Sequence, residues 1–355
     1  MYKNNSGLIA KTKVSKYNKG LCLTEKLVRK TRYYSYTRQL YTIKRMKKAS
    51  IILFLAFIGL VSCKQNKQEK KQTTSEKLEF TKIIKKDYEL YKPNKEVRAV
   101  LILFGGYPED AEDIKREFKI LDIARKNSIA VLLSNFNRKL WLEENEKHLL
   151  AKSLQNIIVE NQLPTDNIYI GGFSSGGIVS LLISNFIVGM KQFYIDPKGV
   201  FIVDSPIDLV ALYKSSEKNI KRNFSEPSIQ ESNWLLETLG SNFGNPKDGI
   251  KKYEDKAVFT YSTDNTSNLK KLKNTKIRLY TEPDTLWWKN NRMADYKQMN
   301  AFYIEKLSKS LIGKGYENVE YIPTINKGYR ANGDRHPHSW TIVDKNDLIN
   351  WILKE

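Results

Sequence analysis

Residues 167–188, "NIYIGGFSSGGIVSLLISNFIV", set four glycines and an adjacent serine pair between two apolar runs. A Gly/Ser linker is polar on both sides, so these flanks place the glycines inside a folded core. A phosphate-binding P-loop is excluded too. Gly171 and Gly176 have the required separation, but Gly177 and Ile178 stand where Lys and Ser/Thr belong. What fits is G-x-S-x-G, as Gly172-Phe173-Ser174-Ser175-Gly176, between a β-type run and a long helical run. Only Ser174 has glycine two residues before it and two after it. A serine on a sharp strand-to-helix turn sits in an unfavourable backbone region, and small neighbours let strand and helix approach. That turn presents the Ser174 hydroxyl at a helix start, as a candidate nucleophile. A chance match is the plain alternative in a chain with 18 glycines, and the strand before and helix after argue against it.

Outward from this stretch, strands and helices alternate. "RAVLILFGG" (98–106) is a run of β-formers ending in glycines, and residues 111–124 place Ala111, Ile114, Phe118, Leu121 and Ala124 at helical spacing. "IAVLLSNF" reads as a second strand, and residues 141–161 as an amphipathic helix with Leu150, Leu154 and Ile157 inward. "GVFIVDSP" follows the long helix as another buried strand, and "KIRLYTEPD" (276–284) arrives after an insertion of roughly 70 residues. A strand near "VEYIPTI" and a helix "DKNDLINWILK" close the chain. Such alternation predicts an α/β fold, a mainly parallel doubly wound sheet with its ligand site at the carboxyl ends of the strands. The insertion at about 207–275, too long for a plain connection, reads as a helical cap on a domain spanning 78–355.

The net charge of +21 raises a nucleic-acid reading, which its distribution removes. Residues 1–45 hold 12 Lys/Arg and one acid, Glu25. They are followed by "MKKASIILFLAFIGLVSC" (46–63), which resembles a bacterial lipoprotein signal peptide. Met46 precedes the basic pair Lys47 and Lys48, an apolar run follows, and Leu60-Val61-Ser62-Cys63 matches the lipobox of that family. The run is too short to span a bilayer but suits a cleaved signal. On this reading 1–45 is an extension upstream of the true start, 46–62 a signal peptide, and Cys63 the lipidated residue. The alternative makes 1–45 a genuine transit-like extension. After processing, 46 basic residues face 38 acidic ones, a balance of +8, without a nucleic-acid stripe. Cys22 and Cys63 are the two cysteines, so the mature chain has no pair for a disulfide. Residues 63–77 are polar and aperiodic, a tether that would hold the protein to a membrane surface. Lys64 after the cysteine, by resemblance to Gram-negative lipoproteins, implies the outer membrane, with the periplasmic face favoured.

A serine nucleophile needs a base within hydrogen-bond reach and an acid that orients the base. The chain has three histidines. His148 shares the polar side of its helix with Glu144 and Lys152 and reads as a surface residue; His336 and His338 lie in "DRHPHSWTIVD", between the last strand and last helix. Over roughly residues 95–355 the chain resembles the α/β-hydrolase superfamily, whose triad order is Ser, Asp/Glu, His. The resemblance implies an acid in "YTEPDTLWW" and a base in "RHPHSW": Asp284 in preference to Glu282, and His338 in preference to His336, with Asp204 as a further candidate acid. It also implies an oxyanion hole from the backbone N–H groups of Ser175 and Tyr107, the latter in "LFGGYPED", where Gly105 replaces the usual histidine. Trp287 and Trp288 would line an acyl or sugar pocket, or serve in packing. No Cys/His cluster has ligand spacing, so neither metal nor organic cofactor is implied. The expected function is a membrane-anchored serine hydrolase acting on a small-molecule ester. A serine peptidase of the same fold and a non-catalytic lipid-anchored binding protein are the alternatives.

Overall fold

A computed structural model describes residues 80–354, so the extension, signal and tether, with Cys63, lie outside the described residues. The chain begins with β1 (Phe80–Ile84), β2 (Tyr88–Pro93) and β3 (Ala99–Phe104), followed by α1 (Ala111–Phe118) and α2 (Leu121–Lys126). Next come β4 (Ile129–Ser134), α3 (Glu144–Glu160), β5 (Ile168–Phe173), α4 (Ser175–Gly189) and β6 (Pro197–Val203). The long insertion folds as α5 (Leu209–Arg222), α6 (Glu226–Phe243) and the short α7 (Lys251–Glu254). After it stand β7 (Lys276–Thr281), α8 (Thr285–Arg292), α9 (Asn300–Gly313), β8 (Val319–Pro323) and α10 (Lys345–Leu353).

The strands form one sheet in the order β1-β2-β4-β3-β5-β6-β7-β8. The pairings β1–β2 and β2–β4 are antiparallel and the rest parallel, which gives the mainly parallel doubly wound sheet expected from the sequence. β3, β4 and β5 are buried along their whole length, the pattern of parallel strands covered on both faces. Alternate residues serve opposite layers: Val100, Ile102 and Phe104 of β3 face a core with α3, α4 and α9, while Leu101 and Leu103 face α1 and α10. Each such side chain, fully buried, contributes about 1.5–3 kcal/mol.

Two features depart from the sequence reading. The single helix expected over 111–124 is broken at Lys119, whose left-handed backbone (φ 51°) ends α1. β1 and β2 extend the sheet where no strand was anticipated. β1 lies at the sheet edge with three of its five residues exposed, so it lacks the apolar run that marks a central strand.

Helix α4 is apolar on all sides, and twelve of its fifteen residues are buried. Its start packs so tightly on β5 and β3 that side chains have no room there. A Cβ on Gly172 would lie 2.2 Å from the Gly176 carbonyl, and one on Gly176 would lie 2.3 Å from the Phe104 carbonyl oxygen. These two glycines let the strand-to-helix turn close, and the turn sets Ser174 at the carboxyl edge of the sheet.

Candidate active site

Ser174 is the first residue past β5, with φ 52° and ψ −125°, a conformation that L side chains rarely adopt. Holding a non-glycine residue there costs of order 1–3 kcal/mol, which the packed glycines and a hydrogen bond from Ser174 N to the Val203 carbonyl (2.9 Å) offset. Asp204 occupies the equivalent place past β6. Its φ is 46°, and its N–H donates to the Tyr280 carbonyl at 2.9 Å. Because Phe173 pairs with Val203 in the sheet, the residues that follow them lie side by side.

His338 enters from the loop between β8 and α10. Its Nε2 lies 3.1 Å from Ser174 Oγ and its Nδ1 lies 2.6 Å from Asp204 Oδ2. A carboxylate only accepts, so Nδ1 carries the proton and Nε2 is left to accept from the serine hydroxyl. Asp204 is 4% exposed; its other oxygen accepts from Thr281 Oγ1 at 2.6 Å, and its carbonyl accepts from Asn300 Nδ2 at 2.8 Å. The carboxylate is thus fixed at both ends. The Phe173 ring lies 4.5 Å from the His338 ring and walls its other side.

The structure therefore brings Ser174 and His338 together, and the acid beside His338 is Asp204 instead of Asp284. β7 ends at Thr281, and the two acids that follow take partners other than the imidazole. Asp284 caps α8, accepting from Trp287 N at 2.9 Å, and receives Arg335 Nη2 at 2.7 Å. Glu282, 1% exposed, accepts from Lys327 N (2.8 Å), Gly328 N (3.0 Å) and Thr324 Oγ1 (3.0 Å), and pairs with the same Arg335. Both acids anchor the loop that carries the histidine. The sequence signal for Asp204 was its place directly after the strand following Ser174, which made it a candidate without deciding for it.

His336 borders the same cavity as Ser174, but the histidine bonded to the serine is His338. The His336 ring packs 4.7 Å from Trp287, and burial together with the neighbouring His338 pushes its pKa down to about 3, so it is neutral at ordinary pH. Trp288 lines the cavity beside Ser174, whereas Trp287 stacks edge-on against it at 5.3 Å. His148 is exposed and lies against Phe186. Among the described residues no group of three His, Cys, Asp or Glu side chains is placed to hold a metal ion, and no helix is long and apolar enough to cross a membrane.

The loop after β3 passes directly over Ser174, since a Cβ on Gly106 would come within 3.1 Å of Ser174 Cβ. Tyr107 and Ser175 line the same cavity as Ser174 and His338. Ser175 is the first residue of α4, where the backbone N–H has no partner within the helix. A side chain that sequence reasoning did not single out, Glu109, holds this loop. It accepts from Gly106 N (2.9 Å) and Trp340 Nε1 (3.0 Å), and so joins the loop after β3 to the loop of His338. Burial raises the Glu109 pKa against the opposing effect of those two donors.

No protein-family model matches this chain, and no curated protein does. Among solved structures it is similar to fluorophosphonate-binding serine hydrolase F of Staphylococcus aureus, with 13% identity, 76% of this chain and 92% of that one covered, and a TM-score of 0.46. It is similar also to carboxyl esterase 2 of the mycorrhizal fungus Tuber melanosporum (16% identity, 70% and 78% covered, TM-score 0.45). A third is an S-formylglutathione hydrolase of Staphylococcus aureus (14% identity, 75% and 92% covered, TM-score 0.42).

Proposed function

We propose that this protein is a serine hydrolase that cleaves a carboxylic ester through an acyl-enzyme on Ser174. The observation that carries this reading is the continuous chain from Asp204 through His338 to Ser174, at 2.6 and 3.1 Å, with the serine in a strained backbone region. Ser174 Oγ attacks the carbonyl carbon while His338 Nε2 takes its proton. Asp204 holds the imidazole in the required tautomer and stabilises the imidazolium. The negative charge that develops on the carbonyl oxygen is received by the N–H groups of Ser175 and Tyr107, an interaction worth several kcal/mol in sites of this kind. As the ester C–O bond breaks, the imidazolium gives its proton to the departing alcohol. A water molecule then repeats the sequence on the acyl-enzyme and releases the acid.

Anchoring to a membrane through a lipid on Cys63, at the periplasmic face of an outer membrane, is part of the same proposal and rests on Leu60-Val61-Ser62-Cys63. The enzymatic reading is tested by intact-mass analysis after treatment with a fluorophosphonate. An adduct on the wild type and none on Ser174→Ala is expected. A folded wild type that takes no adduct would sink it.

A further inference from the structure

The space above Ser174 divides into two arms of different chemistry. One, of about 430 Å³, is lined by Ser174, Ser175 and His338 and receives the apolar surfaces of Tyr107, Leu140 and Trp234. The Tyr107 and Trp234 rings lie against each other at 4.8 Å and form one continuous aromatic wall. The other, of about 310 Å³, is also lined by Ser174 and His338, but adds Ser215, Asn219, Ser228, Arg292, Asn300 and His336. Helices α5 and α6 of the insertion contribute to both arms, Leu212 from the first, Glu231 and Leu235 from the second.

Given the Ser174 reading, on which this inference rests, the chemistry decides which half of an ester enters which arm. The candidate oxyanion donors, Ser175 and Tyr107, border the apolar arm alone, so the carbonyl and its acyl substituent face that side. The departing oxygen must face His338, which protonates it and borders both arms, so the alcohol half takes the arm that the acyl group leaves free, the polar one. We propose that the enzyme acts on esters joining an aryl or medium-chain acyl group, held against Tyr107 and Trp234, to a hydroxyl-rich alcohol of the sugar or polyol class, held by the polar arm. The polar arm presents short hydroxyl and amide side chains from helices α5, α6 and α9, groups that pair with hydroxyls in either hydrogen-bond direction. Arg292, its one cationic lining residue, is opposed by Glu231, a carboxylate that lines both arms, and the His336 imidazole is neutral at ordinary pH. That balance suits a neutral polyol better than a phosphate or carboxylate.

The test uses the full chain and four esters: ethyl acetate, ethyl 3-phenylpropanoate, 6-O-acetylglucose and 6-O-(3-phenylpropanoyl)glucose. Expected is a kcat/KM at least about ten-fold higher for phenylpropanoyl over acetyl at fixed alcohol, and at least about ten-fold higher for glucose over ethanol at fixed acyl group. Trp234→Ala should collapse the acyl ratio while the alcohol ratio stays, and Arg292→Ala should lower the alcohol ratio while the acyl ratio stays. Ratios near unity, or inverted, in a protein that is labelled at Ser174 by fluorophosphonate would overturn the two-arm assignment and leave the hydrolase reading standing. No labelling and no turnover of any ester would overturn both.

Discussion

Two neighbouring strand ends in this protein carry buried acids, and they are used differently. At the end of β6, Asp204 turns its carboxylate to the His338 imidazole and is pinned by Thr281 and Asn300. At the end of β7, Glu282 and Asp284 ignore the imidazole and grip Arg335 and the backbone of the same loop. One strand end holds the His338 imidazole and the other holds the loop that delivers it. Type and burial of the acid do not separate the roles, because Asp204 shares its type with Asp284 and its burial with Glu282. What separates them is which atoms they accept from: a ring N–H in one case, backbone amides and a guanidinium in the other.

Substitutions at the two strand ends should have unequal effects. Asp204→Asn offers an amide where the imidazole needs a carboxylate, and kcat should fall by roughly 10³–10⁴, with the folded state kept. Steady-state kinetics beside a thermal melt would check it; loss of the fold in step with activity would count against an orienting role. Glu282→Gln weakens several charge-assisted bonds at once and should destabilise by about 2 kcal/mol in urea unfolding, while kcat changes by less than about ten-fold. Asp284→Asn keeps a capping oxygen and loses only a partly exposed ion pair, so its cost should stay below about 1 kcal/mol, with kcat/KM within a few-fold of wild type.

A pH-dependent effect concerns His336, on the same loop. Its folded pKa of about 3 lies below the ordinary 6.5, so the unfolded chain binds the proton more readily. Its contribution is fully present above about pH 6.5 and is lost as pH falls towards 3. His336→Asn should therefore lessen the fall in urea midpoint between pH 7 and pH 4. An unchanged fall would show that other groups set the acid limb.

The same contrast explains what the sequence disclosed. The turn at Ser174 was legible because local sterics demand it: Gly172 and Gly176 stand where no Cβ fits, and the apolar runs around them name a strand and a buried helix. The choice among Asp204, Glu282 and Asp284 was not, because three acids at adjacent strand ends are equivalent until the path of the loop from 324 to 344 is known. The break at Lys119 carried no signal, since a lysine, and no glycine, takes the left-handed position. Trp234 was visible only as part of a helical stretch in the insertion. Its place above Ser174 depends on how that insertion folds back over the sheet, which no local pattern records.

The most direct measurement is the second-order rate of fluorophosphonate adduct formation for wild type, Asp204→Asn, Asp284→Asn and Ser174→Ala, read by intact mass. Expected are no adduct on Ser174→Ala, labelling of Asp284→Asn close to the wild-type rate, and labelling of Asp204→Asn slowed by at least about a hundred-fold. A protein slowed by Asp284→Asn and indifferent to Asp204→Asn would contradict the role given to Asp204.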